Sequence, residues 1–225
     1  MRRIIIPLIF GLAGAAILIS LGTWQVRRLA WKEAVLADIE ARISAAPVAV
    51  PAVPDPEADR YLPVLVRGTY GEGRIRVLSS RQLYGAGYRI IAPFETGGRR
   101  ILIDRGFVQE RDAIPAAPQG EVTLTGNLHW PSETDKYTPS PNLEADIWFA
   151  RDVPAMATHL GTDPVLMVLR SGEGGGAKIT PLPIDTSGIP NNHMQYAFTW
   201  FSLAFIWLVM TGYFIWRIRN PLKGT

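Results

Sequence analysis

The chain has 225 residues, no cysteine, and 23 basic against 20 acidic side chains, for a formal net charge of +3. Without cysteine there is no disulfide, no thiolate chemistry, no zinc knuckle and no covalent haem attachment through a CxxCH motif. The positive charge belongs to the ends: Arg2, Arg3, Arg217, Arg219 and Lys223 are five basic residues, leaving 18 basic against 20 acidic between them, a middle at −2 that disfavours nucleic-acid binding, which would need a basic face on the domain itself.

Residues 1–3 form a short basic tail, followed by an apolar segment over 4–24. Ile4–Leu21 is an uncharged run of 18 residues. With Gly22, Thr23 and Trp24 it reaches the roughly 20 residues that cross about 30 Å of hydrocarbon at about 1.5 Å per residue. Pro7 falls in the first turns, where a missing backbone N–H is tolerated. A cleaved signal peptide is the rival reading, with Ala13-Gly14-Ala15 as its small-residue cleavage site. The apolar run continues for six residues past Ala15, which favours a retained anchor. Gly11, Gly14, Ala15 and Ala16 would let another helix approach closely, either the second span of this chain or a helix of another membrane subunit.

Residues 25–195 form the intervening domain. The helical pattern first continues over Trp24–Ser44, with Leu29, Val35, Leu36, Ile39 and Ile43 at steps near three and four. Ala46–Pro63 then carries prolines at 47, 51, 54, 56 and 63 and reads as a linker. Beyond it, short apolar runs alternate with turn residues. Val64–Tyr70 and Arg74–Arg81 flank Gly71-Glu72-Gly73, and Tyr88–Phe94 and Arg99–Val108 flank Gly97-Gly98, so each pair reads as a hairpin. Val122–Trp130, Ile147–Arg151, Val165–Arg170 and Lys178–Leu182 are further strand candidates. Pro154–Leu160 reads as a helix entered through Asp152 and closed by Gly161. The expected fold class is a membrane protein in which two transmembrane helices flank an extracytoplasmic α+β domain dominated by an antiparallel β barrel or sandwich.

Tyr196–Trp216 is the second span, 21 residues without a charge, with Tyr196 and Trp200 at one end and Tyr213 and Trp216 at the other. Residues 217–225 form a second basic tail. Two short basic tails place both ends in the cytoplasm and the domain in the periplasm, at a bacterial inner membrane. Arg27, Arg28 and Lys32 run against that rule on the outer side, although long domains translocate largely regardless of charge.

No catalytic constellation is visible. His129 falls in a strand and His159 near a helix end, too scattered for a metal triad. No GxSxG elbow accompanies a Ser-His-Asp order, and Gly172–Gly176 lacks the GK[ST] ending of a phosphate loop, so a hairpin or loop is its plainer meaning. The exception is Asn191-Asn192-His193-Met194-Gln195-Tyr196 at the mouth of the second span. His193, Ala197, Trp200, Ala204 and Trp207 follow steps of four and three on one stripe, and alanines between large rings leave shallow gaps. An imidazole above an apolar aromatic groove is suited to ligate a haem iron. A histidine that only caps the span at the headgroups is the alternative. Asn191 and Asn192 are candidates to cap the helix and orient the ring.

Four segments resemble one family. Leu21-Gly22-Thr23-Trp24-Gln25 with Arg27, Arg28, Trp31 and Lys32, then Ile91-Ala92-Pro93-Phe94 with Ile103-Asp104-Arg105-Gly106-Phe107-Val108, then Trp148 with Arg151-Asp152-Val153, and finally Asn191–Phe201 occur in the order found in the Surfeit-locus family of cytochrome c oxidase assembly factors. Asp104 stands where that family usually has Asn, and Gln109 where it usually has Pro. The resemblance implies a non-enzymatic factor that binds haem a transiently through His193 and helps insert it into oxidase subunit I, with haem a synthase as the donor. Tyr196, Ala197 and Trp200 would line the haem beside that histidine. A scaffold that stabilises an oxidase assembly intermediate without ligating haem is the alternative. A two-span sensor is disfavoured, since nine residues after Trp216 leave no room for an output module.

Overall fold

The structure is a computed structural model that describes residues 2–81, 85–171 and 178–220. The glycine-rich stretch at 172–176 lies outside these residues. The chain divides into two compact units, one formed by Ile39–Asp185 and the other by the segments before and after it.

In the helical unit, α1 (Arg2–Ser44, 43 residues) begins the chain and α3 (His193–Arg219, 27 residues) ends the described part. Among the buried or half-buried positions of α1 are Gly11, Ala15, Leu18, Gly22, Gln25 and Leu29, and among those of α3 are His193, Ala197, Trp200, Ala204, Trp207 and Thr211. Both series advance by alternating threes and fours, the signature of a helix-to-helix seam with a 3.5-residue repeat. Small residues make the seam tight. A Cβ on Gly14 would stand 2.5 Å from the Trp207 indole nitrogen, and one on Gly22 would stand 2.8 Å from the Phe201 ring. The Trp207 indole N–H donates to the Gly11 carbonyl at 2.9 Å, which satisfies a polar group on an otherwise apolar face. Outside the seam the helices are apolar and bare: only 11% of the apolar window of α1 and 6% of that of α3 are buried. Both are long and apolar enough to cross a membrane.

The Ile39–Asp185 unit is a β structure with one helix. Its strands are β1 (Pro63–Tyr70), β2 (Ile75–Arg81), β3 (Gly85–Thr96), β4 (Arg99–Gln109), β5 (Val122–Leu128), β6 (Ile147–Trp148) and β7 (Leu166–Leu169), with α2 (Val153–Leu160) between the last two. Among the described residues they form one sheet in the order β1-β5-β7-β4-β3-β2-β6. An additional β1–β3 pairing (Gly68↔Thr96, Thr69↔Glu95, Tyr70↔Phe94) closes five of the strands into a barrel-like ring. Closure covers the free edge of β1.

Local signals place several elements. Asp152 caps α2 by accepting from the Ala155 N–H at 3.1 Å, Pro154 occupies the first turn, and Gly161 ends it in the left-handed region at φ 62°. The β3–β4 hairpin turns through Gly97-Gly98 as expected. The first hairpin does not form. β1 pairs with β5 and β3, not with β2, because ring closure gives β1 a full six-residue ladder with β5 that a local turn would forgo. β2 pairs instead with β3. Nor is the sheet purely antiparallel: β4–β7 and β2–β6 are parallel, the first of these reached through the α2 crossover. Lys178–Leu182 is reduced to one bridge, Phe107↔Thr180, and Ile147–Arg151 to the two residues of β6. The proline-rich linker holds a single bridge, Val48↔Val64.

The barrel interior is filled by Val64, Val66, Phe94, Ile101, Ile103, Leu124 and Met167. A second layer, with Ile75, Val77, Ile91, Leu102, Trp148 and Met156, packs α2 onto the outer face. Residues on β4 are therefore buried on both faces. Midway, the β3–β4 register slips: Arg89 pairs with Phe107 but Ile91 pairs with Asp104, leaving Arg105-Gly106 opposite Ile90 alone. Gly106 sits in this bulge at φ 117°, and a Cβ there would lie 2.3 Å from the Thr180 carbonyl oxygen.

Candidate functional site

His193 is the first residue of α3, and its imidazole Nδ1 lies 2.8 Å from the Gln25 side-chain oxygen on α1. A carboxamide oxygen only accepts, so this contact selects the tautomer with the proton on Nδ1 and the lone pair on Nε2. Nε2 makes no hydrogen bond among the described residues. This is the arrangement in which histidine ligates metals: one ring nitrogen fixed by a protein acceptor, the other open. Gln25 is 9% exposed, a polar side chain at a seam position between Gly22 and Leu29.

Of the residues expected beside His193, Ala197 is buried at 3%, Trp200 is half-buried, and Tyr196 turns outward at 54%. Ala197 and Trp200 lie on the stripe covered by α1, so the shallow gaps foreseen between the rings are occupied by that helix. Neither asparagine caps α3 through its side chain. Asn192 occupies the N-cap position without a side-chain hydrogen bond, and the Asn191 side-chain oxygen is buried without a partner. Gln25 is the residue that sequence reasoning left without a role. It was visible only as part of a motif, since nothing in the sequence aligns position 25 with position 193.

The β unit holds a second polar centre. Asp104 follows Leu102 on the face covered by α2 and is completely buried. Its carboxylate accepts from Arg89 at 2.7 Å, from Arg151 at 3.5 Å and from the Gly106 N–H at 3.1 Å. Arg151 also grips Glu133, with Nε 3.1 Å from both carboxylate oxygens. Burial lowers the Arg89 pKa, opposed by Asp104. Burial would lower that of Arg151 as well, but the Glu133 and Asp104 carboxylates reverse this and raise it. Burial would raise Glu133, and Arg151 outweighs it to hold the carboxyl below its usual range. Every charge here is matched, so the cluster pins the loop around Glu133 to β4.

Nearby, a cleft of about 530 Å³ opens beside Tyr70, Arg74, Arg105 and Gln119. Arg105 donates to the Pro115 and Ala116 carbonyls at 3.3 and 2.9 Å and lies 5.5 Å from the Tyr70 ring centroid. Burial pushes the Tyr70 phenol up to about 12 against the pull of Arg105. The pair offers shape and charge but no proton near neutral pH. His129, just past β5, stacks on Tyr61 at 5.6 Å, and His159 lies 3.9 Å from Asp146. No group of three or more His, Asp or Glu among the described residues could hold a metal ion.

Comparison with known proteins covers the same ground. The family model described as the SURF1 family matches residues 12–205. Surfeit locus protein 1 of Homo sapiens is 30% identical over 237 residues, spanning 92% of this chain and 74% of the human one. The Rattus norvegicus protein of the same name is 30% identical over 215 residues, 82% of this chain and 68% of its own. A SURF1-like protein of Monosiga brevicollis is 33% identical over 213 residues, 85% and 80% respectively. A match that begins in the first helix, runs through the barrel and ends in the last helix places every element described above inside one family, and this chain belongs to the SURF1 family.

Proposed function

We propose that this protein is a membrane-anchored assembly factor for cytochrome c oxidase that holds haem a through His193 and assists its insertion into subunit I, with haem a synthase as the donor. Membership in the SURF1 family supports the assembly role. The observation that carries the haem reading is the open Nε2 of His193, the one imidazole of the helical unit, held by Gln25 at the end of an apolar helix pair.

The residues fit haem iron: His193 would hold it through Nε2, the ring nitrogen left open when Nδ1 donates to Gln25. Haem, when bound, supplies an apolar macrocycle and an iron that accepts this lone pair. Tyr196, exposed one turn along α3, would pack against the haem, whereas Ala197 and Trp200 would act from beneath by holding α3 against α1. In this reading α1 and the α3 span cross the bacterial inner membrane with both termini cytoplasmic, the basic tails setting the orientation. The β unit is then periplasmic, and His193 stands at the outer membrane surface.

The test is an absorption spectrum of detergent-purified protein from cells that synthesise haem a. A Soret band that His193→Ala abolishes supports the reading. Oxidase subunit I that co-purifies equally with wild type and His193→Ala, neither carrying pigment, overturns the haem step and leaves a scaffold.

A further inference from the structure

We infer that Gln25 is the positioning residue of the His193 site: by accepting the Nδ1 proton it locks the imidazole in the tautomer that presents Nε2 to a ligand. Where that ligand is haem iron, the inference rests on the reading proposed above; the tautomer itself does not.

The argument starts from cost. A glutamine at a buried seam position, among glycine, alanine and leucine, is destabilising unless its amide is satisfied. A leucine there would continue the seam. Gln25 is tolerated because the antiparallel register sets it opposite His193, and the 2.8 Å contact satisfies its carbonyl. The same contact acts on the histidine. An unconstrained imidazole favours the proton on Nε2, the wrong nitrogen for a ligand presented from that edge. An acceptor fixed on the neighbouring helix reverses the preference and limits rotation of the ring. Asn191 and Asn192 supply no such restraint, since neither bonds the ring, so the orienting role falls to Gln25 across the seam.

The contact also ties the site to helix packing. Gln25 is held one turn from Gly22, where a Cβ would strike Phe201, so the same close approach that pairs the helices brings the carboxamide to the imidazole. A contact that served only as a staple between helices would leave the tautomer indifferent to which polar group made it, and this separates the two roles.

The experiment uses the full chain in detergent, labelled with nitrogen-15 at histidine, in alkaline buffer where the rings are neutral. The three resonance sets are assigned by His129→Gln and His159→Gln. Wild type should show His193 protonated at Nδ1. Gln25→Leu, which keeps the packing volume, should shift His193 to the Nε2-protonated form, and Gln25→Glu, which keeps an acceptor oxygen, should restore Nδ1 protonation. With haem a loaded, Gln25→Leu should lose about 10- to 100-fold in haem affinity, while Gln25→Glu should retain the haem and lower its reduction potential through a more electron-rich ligand. An unchanged His193 tautomer in Gln25→Leu, with the circular dichroism of wild type, overturns the inference. A tautomer shift with no pigment in wild type or any variant supports the Gln25 assignment and overturns the haem reading instead.

Discussion

Phe94 and Phe205 belong to the same chain and meet opposite fates: Phe94 is 0% exposed inside the barrel, and Phe205 is 68% exposed on α3. The contrast extends to the two units. Ile101, Ile103 and Leu128 of the barrel are fully buried, whereas Ile6, Ile9 and Phe198 of the helices stand 62–75% exposed. At about 25 cal/mol per Å² of apolar surface, each large side chain shown to water forfeits roughly 1.5–3 kcal/mol, and a helix pair with more than a dozen of them would not persist as a soluble structure. In hydrocarbon that cost disappears, and what must be satisfied instead is every backbone polar group, which an α-helix does internally. The barrel is stabilised by exclusion of water and the helix pair by close fit between small residues, so the two should fail under different insults.

The largest expected effect lies in the barrel. Asp104→Ala leaves two buried guanidinium groups, Arg89 and Arg151, without their shared carboxylate. Breaking a buried ion pair from one side costs about 3–5 kcal/mol. Urea unfolding followed by the β-sheet circular dichroism should show that loss, while α1–α3 association in the same protein stays unchanged. A smaller penalty, below about 1 kcal/mol, would mean that Glu133 takes over both arginines. Next comes a pH effect. Burial first, then the nearby Arg151 and Arg60 charges, push His129 from 6.5 down to about 4. The unfolded chain therefore binds a proton that the folded barrel refuses. Stability is complete above pH 6.5 and falls as the pH drops toward 4, by about 3 kcal/mol in total. His129→Phe should flatten the part of that slope between about pH 5.5 and 6.5, where carboxylates contribute little.

Much of this was legible in the sequence wherever the signal was local. The seam of α3 follows from the spacing of Ala197, Trp200, Ala204 and Trp207, and α2 from Asp152, Pro154 and Gly161, since caps and periodicity act within a few residues. The partner of β1 was not legible. Gly71 to Gly73 signal a reversal, yet Val64 pairs with Gly126 far along the chain, because closing the ring satisfies an edge that no turn residue encodes. The parallel β4–β7 pair was hidden for the same reason: Leu166–Leu169 carries the apolar run of a strand but no mark of its direction. In the site, His193 was legible as an unusual residue at a span mouth. Gln25 was not, because a polar residue near the end of an apolar run needs no explanation until the register sets it against an imidazole.

A smaller effect separates the two kinds of packing. Gly14→Val drives a branched side chain into the Trp207 indole, only 2.5 Å from where its Cβ would stand, and disrupts the Trp207 hydrogen bond to the Gly11 carbonyl. The expected loss is about 1–2 kcal/mol of helix association, read as loss of helical circular dichroism at lower SDS fractions. The urea midpoint of the barrel should not move. A shift in that midpoint would mean that the helix pair supports the barrel.

The smallest effect compares two helix starts, one in each unit. Asp152 opens α2 with a side chain that accepts from the Ala155 N–H, and this bond satisfies one of the orphan donors of the first turn. Asn192 opens α3 from the same structural position, yet makes no capping bond. Asp152→Ala should therefore destabilise the barrel by about 1 kcal/mol, while Asn192→Ala should leave the helix pair within experimental error. On the proposed haem reading, retention should follow the same order of contacts: His193→Ala would remove the ligand, whereas Asn192→Ala touches nothing that bonds the ring. A loss on Asn192→Ala equal to that on His193→Ala would show that the asparagine, rather than the cross-seam glutamine, orients the ring.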